Sequence, residues 1–278
     1  MKVLFAGKTF RQKLTRCEHH RVKPLKASPN TNGPTSLRAH NSLVQHYAEY
    51  YSENQGLAAW RRLGATDKAN NIVGLCAGLP HHEILEIGCG DGAVLERLAA
   101  CGFGRRLTGL EISPSAIRCA RAKKIPGAKF ESYNGSDVPF HDQAFDLAIL
   151  THVLEHVEYP RRLLYEAGRV ARNVFVEVPL EDNARLPDDF VPDAVGHINV
   201  YNPRSIRHLV QSCGFRVLST RLMHSSLPLY VHRKGRLRGY LTYAMKDFGL
   251  KCSSRLASQL LTYHYALVCT GNLENVRI

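Results

Sequence analysis

No apolar run in this chain approaches the roughly 18 residues that a membrane-spanning helix needs. The four apolar residues Val3 to Ala6 behind Met1-Lys2 are too few for a secretory h-region. Eight cysteines, Cys17, Cys76, Cys89, Cys101, Cys119, Cys213, Cys252 and Cys269, include no C-x-x-C pair, which argues against both a zinc site and a disulfide framework. They read as reduced core residues of a cytoplasmic protein. A transmembrane segment is therefore excluded, while peripheral contact with a membrane is not.

Acidic residues are scarce at both ends. Residues 1 to 40 carry nine Lys or Arg against the single acid Glu18, and residues 230 to 278 carry eight against two. Of the net charge of +13, the ends supply +8 and +6, so the middle of the chain is near −1. A nearly neutral centre with two basic ends is not the pattern of a nucleic-acid groove, and no specific nucleic-acid partner is expected. Residues 1 to 35 read as a basic disordered tail, a composition also compatible with a transit peptide. Order is expected from Ser36 onward.

With 278 residues and 44% hydrophobic content, the chain can bury one sizeable α/β core with additions. Its most informative stretch is Glu86-Ile87-Gly88-Cys89-Gly90-Asp91-Gly92, directly behind the apolar Ile84-Leu85. Three alternate glycines let a strand turn tightly into a helix and let the main chain approach a ligand with no side chain between. Val94, Leu95 and Leu98 follow at helical spacing. Arg106 to Glu111 reads as a second strand ending in a carboxylate, about 20 residues beyond the turn, where a ribose-binding acid is expected. Ser113-Pro114 then caps the next helix. Gly88, Gly90 and Ala93 also match G-x-G-x-x-G/A, so this unit alone leaves NAD and FAD open.

Later segments discriminate. Phe145 to Leu150 is a buried strand that runs into Thr151-His152-Val153-Leu154-Glu155-His156-Val157, and Pro139-Phe140-His141-Asp142-Gln143-Ala144-Phe145-Asp146 precedes it. In this order the segments resemble class I S-adenosylmethionine-dependent methyltransferases, in the type 11-like branch with E-x-G-x-G-x-G, P-F-x-D-x-x-F-D and L-E-H-V. The likeness covers residues 82 to 220, about half the chain. It implies an α/β fold: a Rossmann-like seven-stranded sheet with strand seven antiparallel, flanked by helices. A helical N-terminal cap over 36 to 80 and an insertion over 222 to 262 complete a methyltransferase domain spanning 36 to 278.

The remaining elements fit that plan. Helices are expected over Leu37 to Tyr51, over Asp67 to Cys76 with Asp67 as its cap, over Pro160 to Arg172 and over Ser205 to Cys213 behind Asn202-Pro203. Strands are expected over Lys129 to Tyr133, Asn173 to Val178, Phe215 to Thr220 and Tyr263 to Cys269. In the insertion, Arg233 to Arg238 is basic, and Tyr240 to Leu250 and Ser253 to Leu261 read as short helices. Tyr47, Tyr50 and Tyr51 are available to a cap over the substrate, or to ordinary helix packing.

The resemblance implies S-adenosylmethionine as cofactor, held by Glu86, Gly88, Cys89, Gly90, Glu111, Ile112, Asn134, Gly135, Thr151 and His152. Asn134 stands where the family commonly has an acid for the adenine amino group. His152, Glu155 and His156, at i, i+3 and i+4, are expected on one face of a short helix. Some quinone O-methyltransferases place E-x-x-E-H here around a divalent metal; His152 replaces the first glutamate, and no metal is assigned. A methyl on a sulfonium is already activated, so the enzyme aligns the nucleophile and excludes water, and an oxygen acceptor also needs its proton removed. His156 and His197 are the candidate bases, with Glu181 and Asp182 at the carboxyl end of strand five.

Two motifs are missing: the N/D-P-P-Y of exocyclic-amine nucleic-acid methyltransferases and the paired glutamates of protein arginine methyltransferases. The expected reaction is methyl transfer to a small molecule or a carrier-linked sugar, at oxygen. An RNA methyltransferase and a cofactor-binding protein without turnover are the alternatives.

Overall fold

The computed structural model describes residues 58–191 and 196–271. The expected basic tail, the helix over Leu37 to Tyr51 and its three tyrosines lie outside the described residues. Helix α1 (Ala58–Cys76) leads into β1 (Glu83–Ile87), α2 (Ala93–Ala100), β2 (Arg106–Glu111), α3 (Pro114–Ala122) and β3 (Ala128–Ser132). The second half continues with β4 (Phe145–Thr151), α4 (Pro160–Val170), β5 (Ala171–Pro179), α5 (Pro203–Ser212) and β6 (Phe215–Met223). Two insertion helices, α6 (Leu227–Lys234) and α7 (Arg236–Leu260), precede β7 (His264–Gly271).

One seven-stranded sheet holds the strands in the order β3-β2-β1-β4-β5-β7-β6. All pairings are parallel except those of β7, which runs antiparallel to both β5 and β6. The chain leaves β1 toward β2 and β3, then returns to add β4 on the other side of β1. That reversal opens a crevice at the carboxyl ends of β1 and β4, where open α/β sheets bind ligands.

Strand side chains alternate between the two faces. Leu85, Ile87, Ala148, Leu150, Val174, Val176 and Leu267 belong to one core beneath α4 and α5. Ile84, Leu147, Ile149, Phe175 and Val268 belong to the other, with Ile72 of α1 and Leu95 and Leu98 of α2. Following the same alternation, Glu86, Thr151, Glu177 and His264 fall on the α1 face, at the crevice end of their strands. The four polar positions are thus continuations of apolar rows.

Several expectations are corrected. Asp67 does not cap a helix: α1 begins at Ala58, and the Asp67 carboxylate in its middle accepts the Ser226 main-chain N–H at 2.8 Å, tying α1 to the start of α6. Helix α4 stops at Val170 because Ala171 already pairs with Phe145 in the sheet. Cys76, Cys89, Cys213 and Cys269 are buried and reduced as expected, but Cys101, Cys119 and Cys252 are exposed. The two short insertion helices are present as expected within α7, though the first already begins at Arg236: they meet at Ser253, whose φ of −162° and ψ of 103° break the helix and whose hydroxyl accepts the Leu256 N–H at the start of the second. Asn202 caps α5 in a reciprocal box with Ser205, as the Asn-Pro signal predicts.

Among the described residues no helix is long and apolar enough to cross a membrane.

Candidate active site

The glycine turn is built as its sequence predicts. Gly88, Gly90 and Gly92 have φ of 76°, 53° and 72°, a left-handed geometry that L side chains rarely adopt. Space is restrictive as well: a Cβ on Gly88 would meet a Val153 methyl at 2.7 Å, and one on Gly92 would meet the Phe130 ring at 2.8 Å. The turn is fastened by main-chain bonds from Gly88 and Cys89 N–H to the Leu110 carbonyl at 2.8 and 3.0 Å. The Cys89 thiol itself is buried and packs in the α1-side core.

Glu111 bridges the turn and the end of β2. Its Oε2 accepts the Gly90 N–H at 2.9 Å, and its Oε1 accepts those of Ile112 at 2.8 Å and Ser113 at 2.9 Å. A carboxylate offers about four acceptor positions. Three are taken, so one remains on Oε2. Asn134 is likewise occupied: its amide oxygen accepts Ser136 and Asp137 N–H at 2.9 and 2.8 Å, and its NH2 donates to the Asp137 carboxylate. It folds the turn that sets Gly135 at φ 81°.

Glu86 lies at the floor of the crevice, 1% exposed. Thr151 Oγ1 donates to its Oε1 at 3.5 Å, while Oε2 has no hydrogen-bond partner among the described residues. Burial pushes its carboxyl up to about 8, against the pull of the nearby Lys68 ammonium. A buried carboxylate oxygen with no partner, beside a glycine cradle, fits a cofactor that brings both a diol and a cationic amino group. S-adenosylmethionine has both. Glu86, the glycine turn and Glu111 are the residues that would hold it.

The segment after β4 differs from expectation. His152 has φ of 56°, so residues 152 to 156 form a turn and not a helix, and the two imidazoles diverge. His152 Nδ1 lies 3.2 Å from Glu155 Oε1, and its Nε2 lies 3.4 Å from Glu177 Oε1. His264 packs edge-on against His152, with ring centroids 4.8 Å apart, and its Nδ1 is 3.5 Å from the same Glu177 oxygen. Asn71 donates to Glu177 Oε2 at 3.0 Å. His156 turns the other way, its Nδ1 at 3.2 Å from the Gly196 carbonyl and its ring 4.7 Å from that of His197. His197 Nδ1 is 2.7 Å from Glu181 Oε2.

Glu155 and Glu177, both inaccessible, therefore stand in one string of alternating acids and imidazoles that runs from Glu181 to His264. Burial alone would raise these carboxyls; the neighbouring His152 imidazole outweighs it and holds both below the ordinary range, with His264 adding to the effect on Glu177. Those two carboxylates hold His152 above its ordinary value despite its burial and the Lys68 charge. Burial lowers His156 and His264. A cavity of about 280 Å³ adjoins the string, lined by Asn70 and Asn71 of α1, His224, Ser225 and Ser226 behind β6, Tyr243 of α7, and His264.

Sequence reasoning brought Glu86, the turn, Glu111, Thr151, His152, His156 and His197 to this end of the sheet, and the structure gathers them there. It missed Lys68, Asn71, Glu177 and His264. The available signal was a charged residue in a period-two row that is otherwise uncharged, as Glu177 is between Phe175 and Pro179.

Strand order and crevice together define a class I S-adenosylmethionine-dependent methyltransferase. The chain belongs to the methyltransferase domain family whose model matches residues 45–220. It is 32% identical over 117 residues to the demethylmenaquinone methyltransferase of Tropheryma whipplei, covering 41% of this chain and 44% of that protein. It is 34% identical over 89 residues to the mitochondrial ubiquinone biosynthesis O-methyltransferase of Candida albicans, covering 30% and 27%. The chain thus spans less than half the length of these curated relatives.

Solved structures share the fold. A Thermotoga maritima S-adenosylmethionine-dependent methyltransferase, described as a possible histamine N-methyltransferase, superposes with a TM-score of 0.55 at 14% identity, over 82% of this chain and 99% of that one. Phosphoethanolamine N-methyltransferase 2 of Haemonchus contortus, in complex with S-adenosylmethionine, gives 0.55 at 14% identity, over 74% and 52%.

Proposed function

We propose that this protein transfers the methyl group of S-adenosylmethionine to an oxygen of a small-molecule acceptor, with His197 as general base. The observation that carries the reading is the 2.7 Å contact between His197 Nδ1 and Glu181 Oε2 at the carboxyl end of β5. A carboxylate on Nδ1 fixes the tautomer, making Nε2 the basic nitrogen that takes the acceptor proton. His156, packed against His197 and kept neutral by burial, extends the same site. The names of the curated relatives, menaquinone and ubiquinone methyltransferases, favour a small acceptor, and one of them is an O-methyltransferase.

The acceptor is a carrier-linked sugar or a comparable molecule with an anionic part. Lys246 supports this: burial above all brings its ammonium down to about 8, and the charges of Lys234, Arg185 and Arg233 near it add to the effect. The exposed Leu237, Leu241, Met245 and Phe248 of α7, with Arg236 and Arg238 beside them, favour a lipid carrier met at a membrane surface from the cytoplasmic side.

The test is turnover with a panel of hydroxylated acceptors. His197→Ala should lower kcat by about 10² to 10⁴ while leaving cofactor affinity within about threefold, and Glu181→Gln should lower it less. Unchanged kcat in His197→Ala would remove the base assignment. Absence of cofactor binding by the unmodified protein would remove the methyltransferase reading itself.

A further inference from the structure

The three groups His152, Glu177 and His264 come from the turn after β4, from β5 and from β7, more than 110 residues apart in sequence at the extremes, yet meet at a single point. Their ligand atoms lie within 4.8 Å of one another. Glu177 Oε1 is 3.4 Å from His152 Nε2 and 3.5 Å from His264 Nδ1. A good N–H···O bond would bring nitrogen and oxygen to about 2.9 Å. Ligands around a tetrahedral ion at about 2.0–2.1 Å are instead separated by about 3.4 Å, the edge of that tetrahedron. His152 Nε2 and Glu177 Oε1 are also buried polar atoms with no aligned hydrogen bond.

The outer contacts have the form that metal ligands require. A ligating histidine gives its second nitrogen to a carboxylate, and a ligating carboxylate is itself hydrogen-bonded. Glu177 Oε2 accepts from Asn71 Nδ2 at 3.0 Å, and His152 Nδ1 lies 3.2 Å from Glu155 Oε1, an ion-pair distance without an aligned hydrogen bond. Neither tether uses the atom that faces the common point. The neighbouring Lys68 ammonium opposes a cation here, and the two buried carboxylates Glu155 and Glu177 offset it.

We propose that His152, Glu177 and His264 form a binding site for one first-row divalent transition metal ion such as Zn2+. Two imidazoles and one carboxylate suit a borderline ion and leave a coordination position unfilled by protein. His264 and Asn71 also line the 280 Å³ cavity, so a bound ion would lie beside it and would act as a Lewis acid toward an acceptor oxygen there. The set differs from E-x-x-E-H, since Glu177 and His264 lie outside that motif and His156 turns away from it. The consequence for the acceptor rests on the proposed function; the site does not.

The test uses the full chain, stripped with chelator and titrated with Zn2+ against a chromophoric competitor. One equivalent should bind, His264→Ala and Glu177→Gln should each weaken binding at least 100-fold, and His197→Ala should retain it. Circular dichroism checks that the variants are folded. Co2+ titrated into the unmodified protein should give the intense visible bands of four-coordinate cobalt, a readout independent of any variant. No binding, a six-coordinate cobalt spectrum, or binding unaffected by both substitutions would overturn the site. Gly90→Arg should lose S-adenosylhomocysteine and keep the metal, so failure of the cofactor reading and failure of the metal site are read separately.

Discussion

The half of the sheet around β1, β2 and β4 and the half around β6, β7 and the insertion are held together by different means. In the first, the proposed cofactor site is built from backbone: three left-handed glycines, and a carboxylate, Glu111, bonded to three main-chain N–H groups. In the second, the proposed metal and acceptor sites are built from side chains of distant segments, such as Asn71, Glu177 and His264. Backbone geometry tolerates few residue types, so it leaves a motif. Side-chain clusters need only the right atoms at one place, and many sequences supply them.

The sharpest way to break that comparison is to place the same bulky residue in each half. Gly90→Arg puts a side chain into the cradle at a φ of 53°. S-adenosylhomocysteine binding, measured by calorimetry, should fall at least 100-fold. Leu241→Arg, on the exposed face of α7, should leave it within about twofold, because the site is changed only where the side chain reaches it. Equal losses in both variants would mean that the insertion takes part in holding the cofactor.

The same division explains what could be read in advance. The turn, Glu111 and the seven strands were legible because each is local: a glycine spacing, an acid at a strand end, a run of apolar residues. The reversal of β7 came from the family resemblance and is observed. Asp67 looks like a cap because Gly64, a residue that commonly ends a helix, lies three residues before it, yet α1 runs through both. The turn at His152 was read as helix because i, i+3, i+4 spacing does not reveal one left-handed residue, and φ of 56° at a histidine has no sequence signature. Glu177 and His264 had no visible role because their meeting depends on β7 pairing with β5, in the register Pro179 to His264.

A smaller effect sharpens the cofactor half. Burial holds the Glu86 carboxyl near 8, so at pH 7 it is mostly protonated in the free protein. A cationic amino group brought by the cofactor favours the carboxylate, and the proton must leave. The sign follows: binding at pH 7 should release up to about one proton, and affinity should rise from pH 6 toward 8, by up to about tenfold per unit. Calorimetry in buffers of differing ionisation enthalpy measures the release, and Glu86→Gln should abolish it. Proton uptake would reverse the assignment of the unpartnered Oε2 to the amino group.

A contrast in stability tests the other half, and its second arm, at Phe248, carries the smallest expected effect. Leu98 is inaccessible in the α1-side core, and Leu98→Ala should cost about 2–5 kcal/mol through lost contacts and the cavity left behind. Phe248 is 67% exposed on α7, and Phe248→Ser removes little buried area, so its cost should stay within about 0.5 kcal/mol. Helix α7 is anchored elsewhere: Tyr263 donates its hydroxyl to the Lys246 carbonyl at 3.0 Å, and Tyr263 packs with Ala257 and Leu180. Chemical denaturation of both variants measures the contrast. If Phe248→Ser proves as costly as Leu98→Ala, the apolar face of α7 is covered in the protein, and the acceptor half is closed by packing where exposure to a lipid carrier was proposed.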